Sequence, residues 1–280
     1  MTKPKSFIIT LILSACFLLS ACTAPVAENI YNNTVTALDV GQAACTLIES
    51  DGQFALIDAG DDGGNTDIMA YLYRRNVKKI DLLVISHFHH DHTSSMMDVI
   101  RNFEIGTVII PDLREEWQPD TYFYRSLFRE SSEGYYALET ASQGKTYQLG
   151  RGTVTILADT INHLSENDTS VVLSYTDGDF VYVNTADCEK GAEKLLTEIM
   201  PENVTLFAAG HHGSYTSNTY DFIAKLNPSA VTISCGENSE YGHPHSQTLN
   251  TFDSLGIPYH ITYQMGNIIY SIDKCEIFAD

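Results

Sequence analysis

The stretch SHFHHDH, residues 86–92, places four histidines and one aspartate within seven positions. The whole chain contains ten histidines, so a large share of them occurs in this one segment. The stretch begins where the apolar run IDLLVIS, residues 80–86, ends, and that run predicts a strand buried on both faces. Imidazole and carboxylate groups gathered at the end of a buried strand favour a site for zinc, or for manganese or iron.

Two other predicted strands end in residues of the same type. FVYVNTAD, residues 180–187, ends on Asp187, and VTLFAAG, residues 204–210, leads directly into His211 and His212. FALIDAG, residues 54–60, carries Asp58 near its end. Because α/β folds gather their sites at the carboxyl ends of strands, we expect these side chains to converge. A site for two metal ions needs about six side chains, one of them bridging.

The alternation of strands and helices predicts one α/β domain over residues 34–280. No linker or repeat follows residue 33, and 280 residues with 44% hydrophobic content suffice for a sizeable core. Residues 259–263 and 267–272 predict a closing β ribbon. Helices are predicted at residues 68–76, 93–103, 189–200, 217–226 and 248–256, with a further helix and a short excursion within residues 114–150.

Residues 1–22 are predicted to be a lipoprotein signal peptide. Lys3 and Lys5 precede an apolar run over residues 7–21 that is too short and too early for an ordinary membrane span. The run ends in LSAC, residues 19–22, which resembles a bacterial lipobox and implies cleavage before Cys22 and lipid attachment to its thiol. Residues 23–33 would be a polar linker, and the protein would lie at the outer face of the cytoplasmic membrane. An uncleaved anchor helix is the alternative.

The formal net charge is −20, from 16 basic and 36 acidic residues. A surface this negative repels polyanions unless a metal ion or a local basic patch offsets it. The composition therefore disfavours a stable nucleic-acid binder and leaves nucleic acid only as a transient substrate. No feature of the sequence indicates an oligomeric state.

The cysteines after residue 33 are scattered and show no C-x-x-C spacing. Cys45, Cys188, Cys235 and Cys275 lie in strand-like or apolar contexts, where a free cysteine behaves as a small hydrophobic residue. Free thiols are the favoured interpretation, and two disulfides in an oxidising compartment are the alternative.

The pattern His87-x-His89-x-Asp91-His92 is the signature of the metallo-β-lactamase superfamily. LDVGQAACTLIE, FALIDAG, NDTSVVL, NTADCEKGAEKLL, GHHGSYTSNTYDFI and ISCGENSEYGHP also occur in the family's order. Together they resemble the metallo-β-lactamase domain at the C-terminal end of the DNA-uptake competence protein ComEC, over nearly all of residues 34–280. HHGS and the histidine-rich loop also resemble the choline-phosphate esterases that act on teichoic acid. The resemblance implies an αββα sandwich.

The resemblance also implies two divalent metal ions, with zinc expected and manganese as the alternative. Asp58 would hydrogen-bond to a metal ligand and orient it. The first ion would be held by His87 and His89, the second by Asp91, His92 and His211, and Asp187 would bridge the two.

Two features depart from the family pattern. The usual third-motif histidine is absent, and the only candidate, His163, precedes NDTSVVL rather than lying within it. We therefore expect an open or water-filled position near Asn167, Asp168 and Ser170, and a more weakly held first ion. VGQAAC replaces the usual VGQGDA, and the loss of its acid is expected to alter the loop beside the site.

The implied chemistry is hydrolysis by a hydroxide held at the metal ions, whose bound water has a pKa lowered to roughly 7. Asp91 and Asp187 would hold this hydroxide, and His212 or His243 would donate a proton to the leaving alkoxide. His90 has no ligand role in the pattern. The candidate substrate contacts are Asn167, Ser214 and Tyr241.

Both resemblances imply a phosphodiesterase, acting on nucleic acid or on a phosphodiester of the cell envelope. A β-lactamase is disfavoured, because HHGS and the missing third-motif histidine both depart from that branch. The alternative of a different class is a catalytically weak, metal-dependent binding or assembly module of the envelope. Metal-dependent turnover of a generic phosphodiester would separate the two classes.

Overall fold

The computed structural model describes residues 32–61, 63–159 and 165–280. The predicted signal peptide, Cys22, most of the predicted linker and His163 lie outside the described residues. Within them the strands are β1 (Asn33–Ala37), β2 (Thr46–Ser50), β3 (Gln53–Ile57), β4 (Lys79–Val84), β5 (Glu104–Ile110), β6 (Ala137–Thr140), β7 (Thr146–Leu149), β8 (Gly152–Ala158), β9 (Val172–Asp177), β10 (Phe180–Asn184), β11 (Leu206–Ala208), β12 (Ala230–Ile233), β13 (Tyr259–Ile261), β14 (Ile268–Ser271) and β15 (Glu276–Ala279).

The helices of the described part are mostly short. Asp67 caps the first of them, because its carboxylate accepts the backbone N–H of Ala70. Gly256 ends the seventh in the left-handed conformation that glycine adopts without strain. They are α1 (Ile68–Arg74), α2 (His90–Thr93), α3 (Met96–Asn102), α4 (Tyr122–Ser132), α5 (Lys190–Leu196), α6 (Tyr220–Leu226), α7 (Ser246–Leu255) and α8 (Thr262–Met265).

The strands form two mixed sheets. The first has eight strands in the order β15-β14-β1-β2-β3-β4-β5-β6, and β3 to β6 run parallel to one another. The second has seven strands in the order β13-β12-β11-β10-β9-β8-β7, and β10 to β13 run parallel. Each sheet therefore contributes a set of parallel strands whose carboxyl ends lie on one edge.

Three apolar clusters show how the layers pack. The middle cluster joins the sheets and includes Ile57 of β3 and Leu173 of β9. An outer cluster packs α1, α3 and α4 on the first sheet, and the other packs α5, α6 and α7 on the second. Each sheet thus buries both faces, which is why β4 reads as a continuous apolar run. The predicted αββα sandwich in a single domain is confirmed.

The predicted helices and strands outside the C-terminal end correspond to elements of the structure within a few residues. The predicted closing ribbon is wrong, because β13 pairs with β12 in the second sheet while β14 pairs with β1 and β15 in the first. The four-residue helix α8 carries the chain from one sheet to the other. Cys45, Cys188 and Cys235 are buried free thiols, and Cys275 is free and exposed. No helix in the described ranges is long and apolar enough to cross a membrane.

Candidate metal centre

The predicted ligand residues meet where parallel strands of both sheets end. Ser86 and His87 follow β4 of the first sheet, and Asp187 follows β10 of the second. A backbone hydrogen bond of 2.9 Å from the N–H of Val171 to the carbonyl of Ser86 joins the two sheets at this point. The histidine-rich segment continues from there into α2, which contains Asp91 and His92.

The side chains form two groups. Within each group the ligand atoms all lie within 4.8 Å of one another. His87 and His89 form the first group with Asp187. Asp187 also belongs to the second group, so the structure brings it to both, as a bridging ligand requires. The second group consists of Asp91, His92, Asp187 and His212.

Hydrogen bonds on the far side of each ring fix which nitrogen faces the second group. Nδ1 of His92 lies 2.7 Å from a carboxylate oxygen of Asp58, and Nδ1 of His212 lies 2.9 Å from the backbone carbonyl of Ser234. Each Nδ1 therefore carries the proton when the ring is neutral, and each Nε2 presents its lone pair to the group. The contact of Asp58 is the one that the family resemblance implies.

The Nε2 atoms of His92 and His212 show directly that the site fits a metal ion. Both are buried, and neither has a hydrogen-bond partner in the described part of the chain. Nε2 of His92 lies 3.2 Å from Oδ1 of Asp187, and Nε2 of His212 lies 3.2 Å from Oδ2 of Asp91. Since an unpaired buried polar atom is costly, two of them aimed at two carboxylates fit a site that binds a cation.

The first group is arranged in the same way. Nε2 of His87 lies 3.1 Å from Nδ1 of His89, close enough for both nitrogens to serve as ligands of one ion. Nδ1 of His87 lies 3.1 Å from the hydroxyl of Ser86. Nε2 of His89 lies 2.8 Å from a carboxylate oxygen of Glu166, which orients this more exposed ring.

The electrostatics of the buried ligands follow from their mutual contacts. Burial works against the charge of Asp187, but His92 and His212 outweigh it and hold the pKa of the carboxyl well below its usual value. Burial likewise opposes protonation of His92, yet Asp187 and Asp58 raise its pKa well above normal. Burial and the neighbouring His92 lower the pKa of His87, which keeps that ring neutral and able to donate a lone pair.

The structure places His212, rather than the predicted His211, in the second group. Nε2 of His211 lies 3.6 Å from Oδ2 of Asp187, while its Nδ1 lies 3.2 Å from the hydroxyl of Thr216. His211 is also partly exposed, whereas His212 is only 3% exposed. We therefore assign the last ligand of the second ion to His212, and the ligand role of His211 stays a prediction from the resemblance.

A left-handed turn determines which of the two histidines faces inward. His211 and His212 both have positive φ angles, 50° and 54°, so their side chains leave the chain in directions that a regular helix or strand would not give. The buried Asn218 secures this turn, because its side chain accepts from the N–H of Gly210 and donates to the carbonyl of the same residue. Sequence reasoning missed Asn218, whose only signal is its position after HHGS.

A cleft of about 460 Å³ opens over both groups. The predicted residues Asn167, Tyr241 and His243 line it, and Tyr241 is largely exposed. Ser214 does not belong to its lining, because the side chain is buried and its hydroxyl contacts Thr216 at 3.0 Å. Burial and the neighbouring His212 lower the pKa of His243 to about 3, so its ring is neutral at neutral pH.

The region of the missing third-motif histidine is polar, as expected. Oδ1 of Asn167 is buried without a hydrogen-bond partner among the described residues, which fits an open position that a water or an ion can fill. Ser170 lies with its hydroxyl 3.5 Å from Nδ1 of His87. The carboxylate of Asp168 instead accepts a hydrogen bond from the backbone N–H of Glu189 at 2.9 Å, and it belongs to neither ligand group.

The loop that lacks the family's acid is held by its backbone. The N–H of Ala44 donates to the carbonyl of Asp91 at 2.9 Å, and the carbonyl of Ala44 accepts from the N–H of Gly60 at the same distance. These two bonds attach the loop to the metal-binding segment without any side-chain contribution.

Comparison with known proteins agrees with this geometry. The family model for the metallo-beta-lactamase superfamily matches residues 38–237. The chain is 26% identical over 209 residues to ComE operon protein 3 of Bacillus subtilis, covering 74% of this chain and 26% of that protein. It is 24% identical over 216 residues to Recombination protein 2 of Haemophilus influenzae, covering 75% and 25%. The chain spans about a quarter of the length of these relatives.

Solved structures show the same fold at low sequence identity. The metallo-beta-lactamase fold protein YhfI from Bacillus subtilis is 14% identical, with a TM-score of 0.53, covering 82% of this chain and 96% of that one. Tm1679, a metal-dependent hydrolase of the beta-lactamase superfamily, is also 14% identical, with a TM-score of 0.54, covering 84% and 97%.

The αββα sandwich and its paired His/Asp groups define a metallo-hydrolase fold with a site for two metal ions. The chain belongs to the metallo-beta-lactamase superfamily. Its sequence relatives include proteins of the ComEC type, as the sequence motifs predicted.

Proposed function

We propose that this protein is an exported, membrane-anchored, metal-dependent phosphodiesterase. The observation that carries the proposal is the sharing of Asp187 between two groups of ligand atoms. A site of this kind would hold two ions on a shared carboxylate, and a two-ion site suits in-line displacement at phosphorus. When bound, the two ions would supply an activated water and neutralise charge on the substrate's oxygens.

The protein's own residues divide the remaining work. Asp91 and Asp187 present carboxylate oxygens at the floor of the cleft, where they can accept a hydrogen bond from the attacking water. Burial raises the pKa of Asp91, but the neighbouring rings of His212 and His92 outweigh it and lower the pKa overall, so the group stays ionised. His243 lines the cleft as a neutral ring that can donate an N–H to the substrate.

The substrate class is proposed from the relatives and from charge. The names of the curated relatives refer to competence and recombination, and the ComEC-like motifs favour a phosphodiester. A net charge of −20 disfavours tight binding of a long polyanion, so DNA would be a transient substrate and a short envelope phosphodiester the other candidate. Zinc is the proposed metal, because four histidine nitrogens and two carboxylates suit it, and manganese is the alternative.

The test is hydrolysis by purified protein loaded with zinc or with manganese. The panel is bis-p-nitrophenyl phosphate, DNA, a choline-phosphate ester and a chromogenic cephalosporin, assayed with wild type and with Asp187→Ala. We expect metal-dependent turnover of at least one phosphodiester and none of the cephalosporin. Two metals bound with no turnover of any diester would refute the proposal and favour a binding or assembly module.

Membrane anchoring is a separate part of the proposal and rests on residues 19–22. One sequence relative is named Competence protein ComA, which supports a role at the cell envelope. Cys22→Ser should block signal processing or release the protein from the membrane fraction. Unchanged processing and fractionation of this variant would exclude lipidation at Cys22.

A further inference from the structure

Gln42 connects two distant loops beside the metal centre. It is buried at 7% exposure, and its side chain contacts His243, which is 201 positions away in the sequence. Its Nε2 lies 3.0 Å from Nδ1 of His243. Its Oε1 accepts the backbone N–H of Gly236 at 3.3 Å. Neither Gln42 nor Gly236 belongs to the metal-binding groups.

These two contacts fix the direction of both hydrogen bonds that link Gly236, Gln42 and His243. The N–H of Gly236 can only donate, so the amide oxygen of Gln42 must face it. The NH₂ group of Gln42 must then face His243, and it too can only donate. Nδ1 of His243 is therefore the acceptor, and the single proton of the neutral ring resides on Nε2.

The position of the His243 ring is fixed as well. It lies nearly parallel to the rings of Tyr241 and His212, with centroid separations of 5.7 and 6.0 Å. The ring lines the cleft together with His211, His212 and Asp187. No group in the described part of the chain accepts a hydrogen bond from its Nε2. The ring's remaining polar atom is thus an N–H donor on a side chain that faces the substrate space.

We propose that Gln42 is a positioning residue that locks His243 as the Nε2–H tautomer, so that the ring donates a hydrogen bond to an oxygen of an anionic substrate. The part that concerns the substrate rests on the proposed function, whereas the tautomer does not. Without this lock the ring could present a lone pair to the cleft, which would repel a phosphate oxygen. The arrangement gives a donor in the cleft without adding a positive charge.

The tautomer is measured by long-range ¹H–¹⁵N correlation of the histidine rings in protein loaded with zinc, a diamagnetic ion. His243→Gln assigns the signal by its loss. The decisive variant is Gln42→Glu, which keeps the shape but replaces the NH₂ donor with a carboxylate oxygen. That oxygen requires a proton on Nδ1 and should reverse the tautomer. Gln143→Glu is the matched control, because Gln143 is exposed and lines neither the cleft nor the cavity of about 620 Å³ that adjoins it at Gln42 and Tyr241.

We expect Nε2–H in the wild type and in Gln143→Glu, and Nδ1–H in Gln42→Glu. An Nδ1–H ring or an imidazolium in the wild type would overturn the proposal, and so would an unchanged Nε2–H ring in folded Gln42→Glu. If that variant does not fold, Gln42→Ala provides the test. A mixture of His243 tautomers in Gln42→Ala would support the positioning role of Gln42, and an unchanged single tautomer would overturn it.

Inorganic phosphate provides a binding readout that does not depend on turnover. Gln42→Glu should weaken phosphate binding about tenfold or more, with both metals retained, because the donor to its oxygen is lost. Gln143→Glu should bind like the wild type. Unchanged phosphate affinity in a tautomer-reversed Gln42→Glu would refute the role of the donor. Absence of phosphodiester hydrolysis by the wild type would refute the proposed function and leave the tautomer result standing.

Discussion

The assignment of His212 to the metal centre can be tested by mutating His212 and its neighbour His211 separately and comparing the two variants. His212→Ala removes one of four ligands of the second group, whereas His211→Ala removes a ring that lies outside both groups. Groups that only orient a ligand already change metal affinity by roughly 10–100-fold when removed. Loss of His212 should therefore weaken the second ion by about 100-fold or more, and loss of His211 by less than about tenfold.

The same change can be expressed as stability. A metal ion stabilises the folded state by RT ln(1 + [metal]/Kd), so a 100-fold weaker site forfeits about 2.7 kcal/mol of that stabilisation. For a domain of this size, that corresponds to about 5–11 °C of metal-dependent increase in Tm. Taking the difference in Tm with and without metal cancels the cost of the cavity left by the smaller side chain.

The assay is calorimetric unfolding of both variants and the wild type, with metal and after chelation, together with competition against a chromophoric chelator. We expect the metal-dependent increase in Tm to be smaller in His212→Ala than in the wild type and to be retained in His211→Ala. If His211→Ala loses as much of the increase as His212→Ala, or more, the reasoning from Nε2 of His212 is refuted. The role implied by the family resemblance for His211 would then be the correct one.

Three further variants test other parts of the site. Asp187→Ala should lose both ions on dialysis, since its carboxylate belongs to both groups; retention of one ion, measured by elemental analysis, would contradict bridging. His90→Ala should keep the metal content of the wild type, because this exposed ring lies outside both groups. Asn218→Ala should lower the free energy of unfolding by about 2 kcal/mol or more, because it leaves the buried N–H and carbonyl of Gly210 without their partner. Asn227→Ala, at an exposed left-handed residue, removes the left-handed preference of asparagine and one exposed hydrogen bond to Asn203, and it should cost less in the same denaturant titration.

The sequence was sufficient to predict where the candidate ligands converge, because these residues follow buried strands. Apolar runs identify such strands, and neighbouring parallel strands in an α/β fold bring their carboxyl ends together. His87 and Asp187 could therefore be brought together although 100 residues separate them. The resemblance implies His211 as the ligand, but the structure brings His212 into the second group, because two successive left-handed residues change the expected side-chain directions. A sequence pattern contains no signal for backbone angles at non-glycine residues of that kind.

The partners of the ligands were also beyond sequence reasoning, because they depend on long-range contacts. Glu166 and the carbonyl of Ser234 reach His89 and His212 from other loops, and neither has a distinguishing neighbour in sequence. The closing ribbon was predicted wrongly for a related reason. Short apolar strands do not specify their partner, and the chain crosses from one sheet to the other between β13 and β14.

A strongly acidic protein and an anionic substrate are compatible because the interaction is decided locally. At physiological ionic strength, charges more than about 8 Å apart are largely screened, so the net charge of −20 acts weakly at the bottom of the cleft. Asp91 and Asp187 contribute two negative charges there, and two divalent ions would contribute four positive ones. The floor of the cleft would thus attract a phosphate.

The acidic surroundings of the cleft, in contrast to its floor, would repel a phosphate. A cavity of about 620 Å³ adjoins the cleft at Gln42 and Tyr241, and Asp39, Glu237 and Glu240 line it. No basic residue is present among the described residues of its lining. A second phosphate lying in this cavity would be repelled at short range, where screening is weak. The charges therefore favour a single phosphodiester with neutral or cationic substituents over a long polyanion extending along this surface.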